Sequence, residues 1–402
     1  MGKIPEDWRA ARLVDVADYI NGYAFSPEDW KSEGLPIIRI QNLNDPNVEF
    51  NHFDGEIDDR YIVEDGDLLF AWSASIGVYI WNRGRAVLNQ HIFKVIPKEK
   101  IDRHFLYYAL FVGTEQLKNR VHGSTMKHFK RGELKIAYVP LPPVEEQEGI
   151  VGVLGVVDSA IGLVDRVIWK TERLKKGLMQ TLLTKGIGHT EYKDTPIGKT
   201  PKEWDIKRLE EASKEVTIGV VNPATPYYTS ANDGVPYFRS QNVRENRLEP
   251  TNVYVRPEFN ERHPKSILKE NDILTLQTGF IGVSCIVPKE YEGTNCHSLL
   301  ITRTDPKMLN PRFLCQFLNS AVGKKIINRH NSGWGRAHLL LEDFRRISIP
   351  LPPLQEQQTI AEILSTIDKR IELERKEKTR LERIKRGLMD LLLTGKVRVK
   401  VD

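Results

Sequence analysis

The sequence has little of what marks secreted, zinc-binding and membrane proteins. Its 402 residues include three cysteines, none spaced as a CxxC pair, so neither a disulfide framework nor a structural zinc site is expected. No run of about 18 apolar residues could span a bilayer, and no apolar stretch follows the first lysine as in a secretory signal. These absences predict a cytoplasmic protein without a membrane partner.

The sequence also lacks the motifs of enzymes that act on DNA or nucleotides. An amino-methyltransferase needs an Asn/Asp-Pro-Pro-aromatic loop, and the nearest match, residues 222–225, has neither the second proline nor the aromatic residue. Residues 198–200 (GKT) end like a phosphate-binding loop, but Lys193 stands where its first glycine is required. The histidines form no HxxxH pair for a metal. We therefore expect a chain that is not an enzyme and binds no cofactor.

Charge is distributed unevenly within a small positive excess. Residues 1–81 contain 6 Lys and Arg against 16 Asp and Glu, whereas residues 82–135 contain 12 against 4. A basic segment of this kind is typical of a face that binds a polyanion. Solvated surface charge explains the same bias, so the charge alone leaves both interpretations open.

What the sequence does contain is an internal repeat. Residues 139–187 align without a gap with residues 349–397, at a constant offset of 210 positions and with 20 of 49 residues identical. Each copy opens with a proline run, which ends a strand and lets a helix begin, and continues with apolar residues at three- and four-residue steps. A helix of about 35 residues is roughly 50 Å long, which is too long for a small domain to bury.

The simplest partner for each apolar stripe is the other copy, and antiparallel pairing would bury both stripes. The residues predicted to pair the helices, or to contact other subunits, are Ile150, Leu154, Val157, Ile161, Leu174, Leu178 and Leu182 in the first copy and Ile360, Leu364, Ile367, Ile371, Leu381, Ile384, Leu388 and Leu392 in the second. The first helix also has four glycines, at positions 149, 152, 155 and 162, where the second has none. They indicate either close packing against a backbone or a weaker helix.

The segments between the helices are related more loosely. The motif Pro5-x-x-Trp8 corresponds to Pro201-x-x-Trp204, and Asn89-Gln90-His91 corresponds to Asn295-Cys296-His297. Short β-branched runs bounded by Gly, Asp and Asn predict strands, and residues 104–118 and 311–327 read as helices. Because the chain is also too long for one ordinary domain, we divide it into two globular domains at 1–138 and 188–348, named the first and second reader for the role inferred below, and helical regions at 139–187 and 349–402.

Three pairs of loops carry side chains suited to DNA, since Arg, Lys, Asn and Gln match base edges and basic groups match phosphates. In the first pair, Arg39, Gln41 and Asn42 correspond to Arg239, Gln241 and Asn242. In the second pair, Lys127, His128, Lys130 and Arg131 correspond to Trp334, Arg336 and His338. In the third pair, Ser73 and Ser75 correspond to Gln277 and Thr278. Strand-end caps and structural turns explain the first two pairs equally well.

A duplicated unit of variable domain and PLPP(V/L)xEQ helix, with the motif at 140–147 and 350–357, resembles the specificity (S) subunits of type I restriction-modification enzymes along the whole chain. The resemblance implies an α+β fold: two mixed α/β target-recognition domains in a pseudo-twofold arrangement, joined by a long antiparallel two-helix coiled coil. It also implies a DNA-binding subunit that reads a bipartite, asymmetric site in double-stranded DNA.

By the same resemblance, the helices would dock two methylation (M) subunits, which restriction (R) subunits join, and methyl transfer and cutting would belong to these partners. The main rival is a scaffold that binds only proteins or peptides. DNA binding that does not weaken with salt would favour that rival, because few phosphates would then be engaged.

Overall fold

The computed structural model describes residues 4–73, 75–120, 134–135, 137–329 and 338–400, with the backbone alone for residues 115–120. The chain forms two compact units, one of residues 1–165 and 376–402 and the other of residues 166–375. Each unit combines one reader with parts of both long helices, whereas the division expected from the repeat separates readers from helices. No helix within the described ranges is both long and apolar enough to cross a membrane.

The first unit is mixed α and β. Its elements are β1 (Arg9–Arg12), α1 (Leu13–Val16), β2 (Ala17–Asn21), β3 (Leu35–Ile38), α2 (Ile40–Asn44), β4 (Asn51–Phe53), β5 (Ile62–Val63), β6 (Leu68–Ala71), β7 (Gly77–Ile80), β8 (Ala86–Leu88), β9 (Ile92–Pro97), α3 (Arg103–Arg120), β10 (Tyr138–Leu141) and the first part of α4 (Val144–Lys185). One sheet has the order β2-β9-β6-β7 and is antiparallel; the other has the order β4-β3-β8-β5, with β3 and β8 parallel.

The second unit repeats this plan. Its elements are β11 (Tyr192–Thr195), β12 (Gly198–Pro201), β13 (Asp205–Arg208), β14 (Ser213–Ile218), β15 (Tyr228–Thr229), β16 (Val235–Phe238), β17 (Val243–Arg244), β18 (Arg247–Leu248), β19 (Tyr254–Val255), α5 (Pro257–Glu261), β20 (Ile273–Leu276), β21 (Ser284–Ile286), β22 (Asn295–Cys296), β23 (Leu299–Thr304), α6 (Pro311–Asn319), α7 (Ala321–Arg329), α8 (Leu341–Arg345), β24 (Ser348–Leu351) and the first part of α9 (Leu354–Leu392). Its antiparallel sheet is β14-β23-β20-β21, and its mixed sheet, β15-β19-β16-β22, again has one parallel pair, β16 and β22.

Both proline runs lie where the sequence predicts, between a strand and a long helix. The strand β10 pairs with β1 and ends at Leu141, and α4 begins three residues later. The strand β24 pairs with β13 in the same way and ends at Leu351, and α9 begins at Leu354. Because proline has no N–H to give to a ladder and fits the first helical turn, each run ends the strand and starts the helix.

In each unit the two long helices run antiparallel, as ion pairs between them show. In the first unit Lys385 Nζ lies 2.6 Å from Asp158 Oδ1, and Lys378 Nζ lies 2.7 Å from Asp165 Oδ1. In the second, Lys175 Nζ lies 2.5 Å from Asp368 Oδ1, and Arg375 Nη2 lies 2.7 Å from Glu172 Oε1. The pairs Asp158–Lys385 and Asp368–Lys175 are the same pair at the 210-residue offset, so each unit has the same register between the helices.

The apolar stripes have a partner that the sequence analysis did not foresee, namely the core of a reader. Ile150, Leu154 and Leu392 join the core of the first unit, and Leu182, Ile360 and Leu364 join that of the second. Ile371 is buried, Leu178 and Leu388 are half-buried against these cores, and Val157, Ile161, Ile367 and Leu381 are half-buried.

Two predicted pairing residues point outward instead. Leu174 and Ile384 occupy matched positions and are 56% and 43% exposed, so they do not pair the helices in this chain. The close-packing interpretation of the helix glycines is also wrong for Gly152 and Gly155, because a Cβ added at either would meet no described atom within 4 Å. These positions lie on open helix surface.

Candidate nucleic-acid interface

The first pair of candidate loops begins at the end of a parallel-paired strand in each unit. Asn42 and Asn242 are buried there, and each side-chain carbonyl accepts from the backbone N–H three residues earlier, at 3.1 and 2.9 Å. Their amide groups donate to Val48 O at 3.2 Å and to Pro250 O at 2.9 Å. Both asparagines therefore hold their loops in shape, in agreement with the structural-cap alternative for these two residues, while Gln41 and Gln241 are exposed.

The two arginines of these loops are half-buried. The guanidinium of Arg39 stacks 5.0 Å from the centre of the Trp30 ring. The Nε atoms of Arg39 and Arg239 are both buried, and within the described residues neither has a hydrogen-bond partner. Since buried donors are nearly always paired, the repetition at matched positions indicates a shared need for an acceptor from outside the described residues.

Backbone hydrogen bonds bring several loops together in the first unit. The backbone N–H of Asn89 donates to Ile38 O at 3.1 Å. Tyr23 N donates to Leu88 O at 2.7 Å, and Tyr23 O accepts from Gln90 N at 2.8 Å. The indole of Trp72 donates to Asn21 Oδ1 at 3.2 Å. We call residues 21–25, 38–42, 71–73, 75–76 and 89–91 the first loop cluster.

The same framework recurs in the second unit. His297 N donates to Phe238 O at 2.8 Å, and Ser298 N donates to Val220 O at 3.1 Å. The side chain of Gln277 donates to Ser298 O at 2.9 Å, and Gln277 O accepts from Leu339 N at 2.8 Å. We call residues 218–222, 238–242, 277–282, 297–298 and 338–339 the second loop cluster.

The clusters unite the first and third pairs of candidate loops. Ser75 and Thr278 are exposed, whereas Ser73 and Gln277 are buried beneath them, and His338 bridges to Thr278 through the backbone. The remaining candidates, Lys127, His128, Lys130, Arg131, Trp334 and Arg336, lie outside the described residues.

Neither cluster contains an aspartate or a glutamate, although the chain has 54 of them. The charged or titratable side chains in the clusters are Arg39, His91, Arg239, His297 and His338, apart from the tyrosine at 23. A surface without carboxylates does not repel phosphates, so the composition of both clusters suits a polyanion. Over the same described ranges, no three His, Cys, Asp or Glu side chains converge as they would around a metal ion.

The glutamate and glutamine of the PLPPxxEQ motif anchor each helix to its reader, a role that sequence reasoning missed. Glu146 accepts from the indole N–H of Trp8 at 2.9 Å, and Glu356 accepts from that of Trp204 at 3.0 Å. Gln147 and Gln357 are buried, and each caps the backbone before a reader helix, accepting from Asp102 N and Asn310 N at 2.8 Å. The signal was present in the sequence as the repeated Pro-x-x-Trp landmark.

Comparisons with known proteins agree with this duplicated plan. A family model described as the type I restriction modification DNA specificity domain matches residues 5–169 and 201–383. The chain is 30% identical to the type I restriction enzyme MjaVIII specificity subunit of Methanocaldococcus jannaschii, over 99% of this chain and 95% of that protein. It is 24% identical to the EcoBI specificity subunit of Escherichia coli, over 89% of this chain and 78% of that protein.

Among solved structures, the S subunit of the type I restriction-modification system from M. genitalium has a TM-score of 0.59 at 16% identity, covering 98% of this chain and 97% of that one. A second chain, from a study of complex assembly in the type I R-M system, has a TM-score of 0.55 at 18% identity over 99% of this chain. The fold is thus that of proteins built from two readers and two long helices. Since the family match spans most of its length, this chain belongs to the type I restriction-modification DNA specificity family.

Proposed function

We propose that the chain is the DNA-reading subunit of a type I restriction-modification complex, in which each loop cluster reads one half of a bipartite, asymmetric site in double-stranded DNA. The observation that carries this proposal is a shared framework with different exposed side chains. Tyr23 and His91 are exposed in the first cluster, and Val221 and Phe280 in the second. A constant frame with variable surface residues is what two different half-sites require.

Within each cluster we assign different roles to buried and exposed residues. The exposed Gln41, Gln241 and Thr278 contact base edges, and the half-buried arginines at 39 and 239 supply donors to phosphates or guanine. The buried asparagines, with Ser73 and Gln277, position these loops from behind. The basic residues at 127–131 and the residues at 334 and 336 remain predicted phosphate and base contacts.

The scaffold function falls on the outward faces of the long helices. Three matched pairs of apolar residues are exposed there, Val153 and Ile363, Leu163 and Leu373, and Leu174 and Ile384. Exposed apolar positions that repeat in both helices suit two copies of one partner. We assign these positions to two methylation subunits. Methyl transfer belongs to the methylation subunits, and cutting belongs to the restriction subunits. In this proposal the chain itself needs no cofactor, works in the cytoplasm, and has the two readers and two helical regions predicted from the repeat.

The test uses a single substitution in one reader at a time, in the assembled complex. Gln41→Ala and Gln241→Ala should each relax base preference in one half-site, and methylation mapping across a genome should show the other half and the spacing unchanged. Gln358→Ala, on an exposed helix position, is the matched control. If wild-type binding to duplex DNA did not weaken between low and moderate salt, or if either variant altered both halves, the proposed reading would be wrong.

A further inference from the structure

One aromatic side chain of the second loop cluster is left in solvent. Phe280 is 83% exposed, the highest value among the exposed large apolar residues of the described chain. It lies in the turn between the antiparallel strands β20 and β21. Exposing a phenylalanine to this extent is unfavourable unless a partner covers it.

The exposure follows from a well-defined turn. Gly279 and Gly282 have φ angles of +73° and +83°, which other residues rarely adopt, and they flank the phenylalanine. Val283 N donates to Phe280 O at 3.2 Å, and Gly282 N donates to Leu276 O at 2.9 Å, closing the turn. The backbone therefore holds the ring outward, and a partner would not have to order the loop.

The neighbours of Phe280 are the candidate DNA contacts. Thr278 is two residues away and is bridged to His338, and the side chain before it, Gln277, is bonded to Ser298 O. Val221, which is 60% exposed, belongs to the same cluster. The loops of the second cluster thus combine polar hydrogen-bonding groups with apolar ones and contain no carboxylate, a composition that suits the edges of bases, which present hydrogen-bonding groups and the methyl group of thymine.

The matching turn of the first unit is built differently. Between β6 and β7 the aromatic residue is Trp72, which is half-buried, donates to Asn21 and lies 5.3 Å from the His91 ring. Among the described residues of the two turns, an exposed apolar tip is therefore found in the second reader.

We propose that Phe280 is a specificity-determining residue that packs against the 5-methyl group of a thymine in the second half-site. Apolar contact with this methyl group is one of the ways in which side chains distinguish thymine from the other bases in the major groove. The proposal rests on the proposed function, because it requires the second loop cluster to face DNA.

The test uses the complete complex with methylation subunits and a duplex that carries the site found by methylation mapping. Phe280→Ala should weaken specific binding about 10-fold, the cost of one lost apolar side-chain burial, without changing the dependence on salt. Replacing thymines by uracil one at a time removes single methyl groups. One such replacement, in the second half-site, should weaken wild-type binding and leave binding by Phe280→Ala unchanged.

The control is Tyr228→Ala, which truncates an exposed aromatic residue outside the cluster and should change neither measurement. Equal affinity and equal uracil sensitivity of Phe280→Ala and wild type would overturn the proposal. So would failure of Phe280→Ala to assemble with methylation subunits, because the ring would then be a protein contact. The proposed function fails separately, if the wild-type complex does not prefer the mapped site over unrelated duplex.

Discussion

The two junctions between helix and reader use the same carboxylate and tryptophan but different third partners. In the first unit Glu146 accepts from Trp8 and also from Arg398, whose Nε and Nη2 lie 2.7 Å from its oxygens. In the second unit Glu356 accepts from Trp204 and lies 3.0 Å from the Nε2 of His189. The shared pair explains why the motif repeats, and the third partner is free to differ because it comes from the segment after each helix.

The difference has an electrostatic consequence in the first unit. Burial raises the pKa of Glu146, but the hydrogen bonds from Arg398 and Trp8 outweigh burial, so its pKa lies below the ordinary value. Arg398 also donates to both oxygens of Asp7, at 2.9 and 2.6 Å, and this lowers the pKa of Asp7. The tail after α9 is thus held to the first reader by two ionised carboxylates.

The largest expected effect compares the inward and outward faces of the long helices. Leu154 and Leu364 are matched and fully buried in the two reader cores. Leu154→Ala or Leu364→Ala should each destabilise the chain by about 2–5 kcal/mol, since each removes packed atoms and leaves a cavity. Urea denaturation of the full chain measures this loss.

The matched controls for that comparison are Leu163→Ala and Leu373→Ala, which truncate exposed leucines of the same helices. They should change stability by less than about 0.5 kcal/mol and instead weaken assembly with methylation subunits. Equal destabilisation by inward and outward substitutions would contradict the two-face description.

Sequence reasoning predicted the parts of this fold that depend on local pattern. The repeat, the proline runs between β10 and α4 and between β24 and α9, and the apolar periodicity all follow from short-range physics. Residues 311–327 do not form the single helix that the pattern favours: they form α6 and α7, with a break at Ser320. Apolar spacing alone did not reveal that break.

The reasoning failed where the answer depends on tertiary contacts. Asn89 and Asn295 look equivalent in sequence, but Asn89 N donates to Ile38 O while His297 N donates to Phe238 O, so Asn89 matches His297. Phe280 was missed because a single apolar residue in a sequence does not show whether its side chain is buried. The anchoring role of Glu146 likewise depends on partners far along the chain, Trp8 and Arg398.

The second prediction compares α4, which has glycines on its surface, with α9, which has none at the matched positions. Because Gly152 and Gly155 face open space, Gly152→Ala and Gly155→Ala should each stabilise the chain by about 0.5–1 kcal/mol through better helix propensity. Thermal unfolding of single and double variants measures the gain. Gly282→Ala, at a φ of +83°, is the contrasting control and should destabilise, while a loss in the α4 variants would show that the glycines are needed for packing.

The smallest effect tests the junction itself. Arg398→Met removes the charge that holds Glu146 and Asp7, and at pH 7 it should lower the unfolding temperature on the order of 2 °C. Both carboxyl groups have pKa values below their ordinary 4.5 and 3.8, so their contribution is full above those values and is lost as the pH falls through the lowered ones. Wild type and variant should therefore approach each other only at acidic pH, as the pH falls through the lowered pKa values of the two carboxyl groups.

The control for the junction is Lys396→Met, two residues earlier in the same tail, where the ammonium is exposed and bonds to Asp390. It should cost little and should not weaken the anchoring of Glu146. Arg398 also lies 5.6 Å from the centre of the Trp8 ring, so packing against the indole is the alternative way to hold the tail. A loss on Arg398→Met that stayed constant as the pH fell from 7 through the lowered pKa values would mean that packing over the indole, and not the two carboxylates, holds the tail. The junctions of the two units would then not differ in their electrostatics.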